Sequence, residues 1–201
     1  MNRPHLILAS SSPRRQELLR RAGLAFDVMA TDLPEREDEV LTGRELALLN
    51  AHRKARFVAR KAPQSLVLAA DTVVCLGPTT YGKPRNLNEA VRMLGELAGR
   101  THQVITGVAL VQRARGHERL FAEVTDVVFR PLTRAEILAY LDRVNPLDKA
   151  GAYGIQEKGE AIVAAIHGSF SNVVGLPMER LLAELAQWPD SEGLRSATVQ
   201  V

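Results

Sequence analysis

The sequence predicts an α/β fold, with helices flanking a mixed, twisted sheet. Three observations carry that prediction. Apolar strand-like runs alternate with capped helical segments through the first half of the chain. A long hairpin rich in β-branched residues follows, Gln103 to Val111 and Glu118 to Phe129, around Arg115-Gly116-His117. A hairpin set among crossover units gives a sheet with both parallel and antiparallel neighbours.

In chain order, Leu6 to Ala9 reads as a strand, and Pro13 to Ala22 as a helix. Proline suits the first helical position because its missing N–H would be unsatisfied there anyway. Ser12 is placed to cap that helix and Gly23 to stop it. An acidic loop, Thr31 to Glu39, precedes a capping box of Thr42 and Glu45 that opens a helix to about Arg60. Leu66–Ala70 and Val73–Leu76 read as one buried strand interrupted by Asp71-Thr72, and Gly77 to Gly82 as a turn. Asn86 with Glu89 caps a helix that ends at Gly99. After the hairpin, Thr133 with Glu136 caps a helix to about Val144. The loop Asp148–Gln156 then leads to a strand at Ala161–Ile166 and a last helix from Pro177 to about Gln187. The pattern is one domain over residues 1–188, followed by a polar tail, 189–201.

Composition narrows the function classes. The 201 residues are 46% hydrophobic and 24% charged, ordinary for a globular protein. A net charge of +3 with scattered basic residues is too weak to argue for nucleic acid, so none is expected as partner, and it suits a small anionic substrate. Cys75, the single cysteine, rules out an internal disulfide and a cysteine-rich zinc site and fits a reducing cytoplasm. The apolar start is too short for a signal-peptide core, and no run reaches the roughly 20 residues of a membrane span. A soluble cytoplasmic protein is expected.

Several residues sit where they cost stability. Arg14 and Arg15 occupy the first turn of a helix, where the macrodipole disfavours a cation by roughly 0.3–1 kcal/mol. With serine hydroxyls and helix N–H groups beside them they suit an anion such as phosphate, although two solvated arginines on an ordinary Ser-Pro helix start are the plainer alternative. Asp71 interrupts an apolar run and needs an ion pair, hydrogen bonds or a metal if buried. It is either half of a structural pair or a carboxylate facing a cleft, with Thr72 near the same site. Lys54 shares a helix face with Ala47, Ala51 and Val58, so its ammonium either aims inward or snorkels. Lys83, in Gly82-Lys83-Pro84-Arg85, is a charge on a proline-stiffened loop, and Gln156 closes the glycine loop with a donor and an acceptor suited to a base edge. No histidine pair has metal-ligand spacing and no serine stands in a nucleophile elbow, which favours carboxylate and divalent-cation chemistry over covalent catalysis.

Five segments together resemble the Maf family of nucleoside triphosphate pyrophosphatases. They are Ser10-Ser11-Ser12-Pro13-Arg14-Arg15, Ala70-Asp71-Thr72-Val73-Val74, Gly82-Lys83-Pro84-Arg85, Asp148 to Gln156, and Asn172-Val173-Val174-Gly175-Leu176-Pro177. They stand in the family's order across residues 6–186. Ala69, Ser171 and the segment Asp32-Leu33-Pro34-Glu35 depart from its usual pattern. The resemblance implies a Maf/ITPase-like fold with two lobes around a central cleft, and a homodimer. It implies hydrolysis of the α–β phosphoanhydride of a nucleoside triphosphate to monophosphate and pyrophosphate. The divalent cation would be Mg²⁺, with Mn²⁺ the other candidate.

In this resemblance Asp71 matches the proton acceptor for the attacking water, and Glu35 an acidic helper in metal or water positioning. Asp71 and Glu35 are thus also the implied metal ligands. Ser10, Arg14, Arg15, Lys54 and Lys83 match positions around the triphosphate. Arg14, Thr72 and Gln156 look like the dTTP/UTP branch. Two alternatives stay open: a 7-methyl-GTP pyrophosphatase, and a nucleotide-binding regulator of cell division that needs no turnover.

Overall fold

Strand β1 (Leu6–Leu8) lies between β2 (Asp27–Val28) and β3 (Leu66–Leu76), parallel to both. These and the following contacts come from a computed structural model describing residues 5–36, 38 and 40–189. On its other side β3 pairs antiparallel with β5 (Thr101–Gln112), which pairs with β6 (His117–Phe129), and β6 with β7 (Val163–His167). The sheet order is β2-β1-β3-β5-β6-β7, with β4 (Thr79–Tyr81) added to the far end of β3. The mixed sheet is therefore as expected, long hairpin included.

The helices are α1 (Pro13–Arg21), α2 (Gly43–Lys61), α3 (Leu87–Leu97), α4 (Arg134–Leu141), α5 (Phe170–Val174) and α6 (Met178–Ala186). Both capping boxes form, Thr42 with Glu45 and Thr133 with Glu136. Asn86 Oδ1 accepts from Glu89 N at 2.9 Å, but the Glu89 carboxylate returns to Arg85 N, one residue outside the box. Local departures from the sequence reading are small. Ser12 occupies the cap position of α1 without a side-chain cap bond. The 77–82 turn is a hairpin that lets β4 pair with β3. Helix α4 stops at Leu141, β7 is displaced toward His167, and α6 starts after Pro177. The tail beyond residue 189 lies outside the described residues.

Strand alternation places even and odd residues of β3 on opposite faces. Leu66, Leu68 and Ala70 pack with Leu19 of α1 and Leu181 and Leu185 of α6. Farther along, Val74 packs with Leu94 of α3 and Tyr140 of α4. The odd residues Val67 and Ala69 meet Ala51, Ala55 and Val58 of α2, and Val73 and Cys75 meet its first turns. One face is thus covered by α2 throughout, and the other by two helix groups that change over near Thr72. Small residues let α2 sit close: a Cβ on Gly107 would come 2.4 Å from the Ala47 carbonyl carbon.

Candidate active site

The site begins with a gap in the sheet. Strand β1 ends at Leu8, and its last ladder contact is Ala9 N donating to Leu68 O at 2.7 Å. Strand β4 joins the same edge of β3 only from Val74 onward. Between these partners β3 has an open edge, at the carboxyl ends of the parallel strands, where α/β sheets present their ligand crevices. Asp71 and Thr72 lie there. The interruption expected in the apolar run is one of polarity and not of backbone: β3 is continuous, with Asp71 opposite Gly107 and Thr72 opposite Thr106. Because neighbours alternate, Asp71 faces α2 and Thr72 faces α1. Both still line one cavity of about 630 Å³, because the strand edge between them is uncovered.

On the α2 face, Lys54 Nζ lies 2.6 Å from Asp71 Oδ1 and 2.7 Å from Glu35 Oε1. The inward orientation of Lys54 follows from the alanine face it shares, which presses α2 against the sheet. Lys83 Nζ reaches Glu35 from the opposite wall, at 3.2 Å. Burial alone would raise the pKa of Glu35, but Lys54 and Lys83 outweigh it and hold it down to about 2. Asp71 shifts the other way. Its burial, reinforced by the charge of Glu35, raises it above the ordinary aspartate value, against the pull of Lys54. A pair of carboxylates with diverging proton affinities is the pattern of a site that divides roles between them.

Asn50 was missed in the sequence and ties these groups together. Its Oδ1 accepts from Arg36 N at 2.9 Å, while its Nδ2 donates to Arg36 O at 3.1 Å and to Asp71 Oδ2 at 3.3 Å. One buried amide therefore pairs the loop next to Glu35 as a strand would, and also contacts Asp71. Its signal was available: Asn50 stands four residues before Lys54, beside Ala47 and Ala51 on the packed stripe of α2.

On the α1 face, the two arginines of the first turn are used differently. Arg14 crosses the cavity to Asp148, with Nη1 at 2.8 Å from Oδ2 and Nη2 donating to the main-chain oxygen at 3.0 Å. Behind it, buried Lys149 contacts Asp148 at 2.8 Å and Glu157 at 3.0 Å. Arg15 turns inward and donates to Gly175 O (2.9 Å), Ser10 Oγ (3.2 Å) and Thr72 Oγ1 (3.0 Å). Gly175 can sit there because its φ of +124° suits only glycine. The cavity lining holds five cationic and five anionic side chains. Arg14, Lys54, Lys83 and Lys149 each have a carboxylate within 4 Å, whereas among the described residues Arg15 has none. Burial lowers the pKa of Arg15, partly offset by Asp71 and Glu35, yet guanidinium stays charged. Ser10 lines the same wall, and Gln156 stands exposed at the rim. Every site residue expected from the sequence thus borders one cavity.

The cavity is a polar cleft that sets a partly desolvated guanidinium, with no carboxylate within 4 Å among the described residues, beside a buried aspartate of raised proton affinity. The family model for "Maf-like protein" matches residues 5–188, and the chain belongs to that family. It is 49% identical over 185 residues to the dTTP/UTP pyrophosphatase of Carboxydothermus hydrogenoformans, covering 91% of this chain and 98% of that one. The dTTP/UTP pyrophosphatase of Symbiobacterium thermophilum is 50% identical over 184 residues, 91% and 93% of the two chains. A solved nucleoside-triphosphatase / dITP/XTP pyrophosphatase from Mycobacterium abscessus is similar at 18% identity and a TM-score of 0.45, covering 92% of this chain and 100% of that one.

Proposed function

We propose that this protein is a pyrophosphatase of dTTP and UTP, including modified pyrimidine triphosphates, which clears them from the nucleotide pool as monophosphate and pyrophosphate. The observation that carries the reading is Arg15, a cation held by three neutral groups in a cavity whose other cations are all paired. A charge so held is costly unless an anion completes it. Triphosphate does so, with Ser10, Arg14, Lys54 and Lys83 around it. Relatives named for dTTP and UTP support the choice of base, with Arg14 and Gln156 at the rim and Thr72 below it as the selecting positions.

Asp71 is the proton acceptor. Its carboxylate takes a proton from water as the water oxygen bonds to phosphorus. The α–β bridging bond breaks, and its electron pair leaves on pyrophosphate. The raised proton affinity of Asp71 brings it nearer to neutral pH than an ordinary aspartate, as a general base requires. Arg14, Arg15 and Lys83 stabilise the charge that moves onto the phosphate oxygens, the main task of a phosphoryl-transfer site.

Asp71 and Glu35 fit a hard divalent cation. Both offer oxygen, and among the described residues no cluster of three or more His, Cys, Asp or Glu side chains gathers. Mg²⁺ accepts so small a set, taking one or two carboxylates and completing its shell with water and phosphate oxygens, and Mn²⁺ suits the same donors. When bound, the cation neutralises phosphate charge and polarises the phosphoryl group. No helix among the described residues is long and apolar enough to cross a membrane. We place the enzyme with the free nucleotide pool of the cytoplasm, as a homodimer that sedimentation would reveal.

The test is a substrate panel. Pyrophosphate release is measured with Mg²⁺ from dTTP, UTP, 7-methyl-GTP and the common triphosphates. Preference for dTTP and UTP is expected. Preference for 7-methyl-GTP overturns the base assignment, and binding without release from any of them leaves the regulator reading.

A further inference from the structure

Thr106 is fully buried, yet its hydroxyl stands in a chain that ends on Arg15. Arg15 Nη2 donates to Thr72 Oγ1 at 3.0 Å. Thr72 Oγ1 and Thr106 Oγ1 are 3.0 Å apart, and Thr106 Oγ1 donates to Asn172 O at 3.2 Å. A hydroxyl has one proton to give. Thr106 spends its proton on the carbonyl, so the proton between the two threonines belongs to Thr72. The polarity of the chain is then fixed from guanidinium to carbonyl, and neither hydroxyl is able to turn without breaking a bond.

The far end is equally constrained. Asn172 is fully buried, and its Nδ2 donates to Val104 O at 3.0 Å and Thr125 Oγ1 at 2.9 Å, tying α5 to β5 and β6. The same short helix leads into Gly175, whose carbonyl accepts from Arg15 Nε. Two of the three bonds that aim Arg15 therefore depend on how α5 is seated. The third comes from Ser10, whose Oγ also accepts from Ser12 N at 3.3 Å.

We infer that Thr106 is a positioning residue for the triphosphate: through Thr72 it fixes the orientation of the Arg15 guanidinium, so that its remaining N–H groups meet phosphate oxygens. This rests on the phosphate-binding reading of Arg15. It also gives the Thr72 hydroxyl a task directed at Arg15, beside the base-selecting role proposed for that position. Both hydroxyl protons of the chain are assigned, and linked hydrogen bonds of this kind hold their members in one orientation.

The experiment compares Thr106→Ser with Thr106→Ala. Both lose the methyl group and so share the packing defect, and they differ in the hydroxyl alone. Binding of inorganic pyrophosphate with Mg²⁺ is measured by calorimetry, and KM and kcat for dTTP alongside, with Arg15→Met as reference. The expected result is that Thr106→Ala weakens pyrophosphate and raises KM by about tenfold, with kcat within about threefold, while Thr106→Ser stays within about twofold of wild type. Equal behaviour of the Ser and Ala variants overturns the inference. If they are equal while Arg15→Met loses pyrophosphate, only the role of Thr106 fails. If Arg15→Met binds pyrophosphate as wild type does, the phosphate reading of Arg15 fails as well.

Discussion

Lys54 Nζ stands between two carboxylates, 2.6 Å from Asp71 Oδ1 and 2.7 Å from Glu35 Oε1, and sets how much negative charge the site tolerates. As the proposed proton acceptor Asp71 acts only when ionised, and Lys54 opposes the burial that raises its pKa. Removing the cation therefore pushes that pKa further up. In Lys54→Met the acid limb of the kcat/KM profile moves to higher pH, and KM rises by roughly tenfold from loss of the phosphate contact proposed for it. The check is a pH–rate profile of both proteins; a limb that stays in place contradicts the pairing.

Asn50 is expected to matter through what it holds. Asn50→Leu keeps the volume but leaves Arg36 without its two side-chain bonds and Asp71 without one of its donors. Loss of roughly tenfold in kcat follows, about the worth of a charge-assisted hydrogen bond. Steady-state kinetics on dTTP, with circular dichroism to verify the fold, measure it.

Gly107 controls how closely α2 approaches. In Gly107→Ala the new Cβ would stand 2.4 Å from the Ala47 carbonyl carbon and 2.5 Å from Leu48 N, so the helix must shift. Overpacking of this kind costs about 1–3 kcal/mol. Calorimetry should show a Tm lower by about 2–4 °C for each kcal/mol. Activity should fall with it, because the same shift moves Lys54 and Asn50 off Asp71.

Thr42→Ala separates stability from function. The Thr42–Glu45 box caps α2 three turns before Lys54. Its loss costs about 1 kcal/mol and a few degrees of Tm. Activity per folded molecule should remain that of wild type. A large loss of kcat would mean that the start of α2 takes part in the site.

What the sequence made legible, and what it hid, divides along physical lines. Capping boxes and the hairpin are local, so the starts of α2 and α4 and the ladder of β5 and β6 were readable from neighbouring residues. Asp71 and Lys54 were visible because each breaks the apolar pattern of its own element. The apposition of Asn50 with Arg36, of Arg14 with Asp148, and of Thr106 with Thr72 depends on elements far apart in the chain. Buried threonine and asparagine are also unremarkable as letters, and become informative only once their partners are known. The strand interruption expected at Asp71-Thr72 fails for a related reason. A charged residue does not break a strand when an ammonium and an amide meet it from the facing helix.

The central claim is that Asp71 activates water to split a triphosphate between its α and β phosphates. Its most direct test is ³¹P NMR of dTTP incubated with Mg²⁺ and the wild-type protein or Asp71→Asn. The wild type should yield thymidine monophosphate and pyrophosphate, and Asp71→Asn should do so slower by about 10²–10⁴-fold, the usual contribution of a general base. Diphosphate and orthophosphate as products, or an Asp71→Asn variant as fast as wild type, would contradict it.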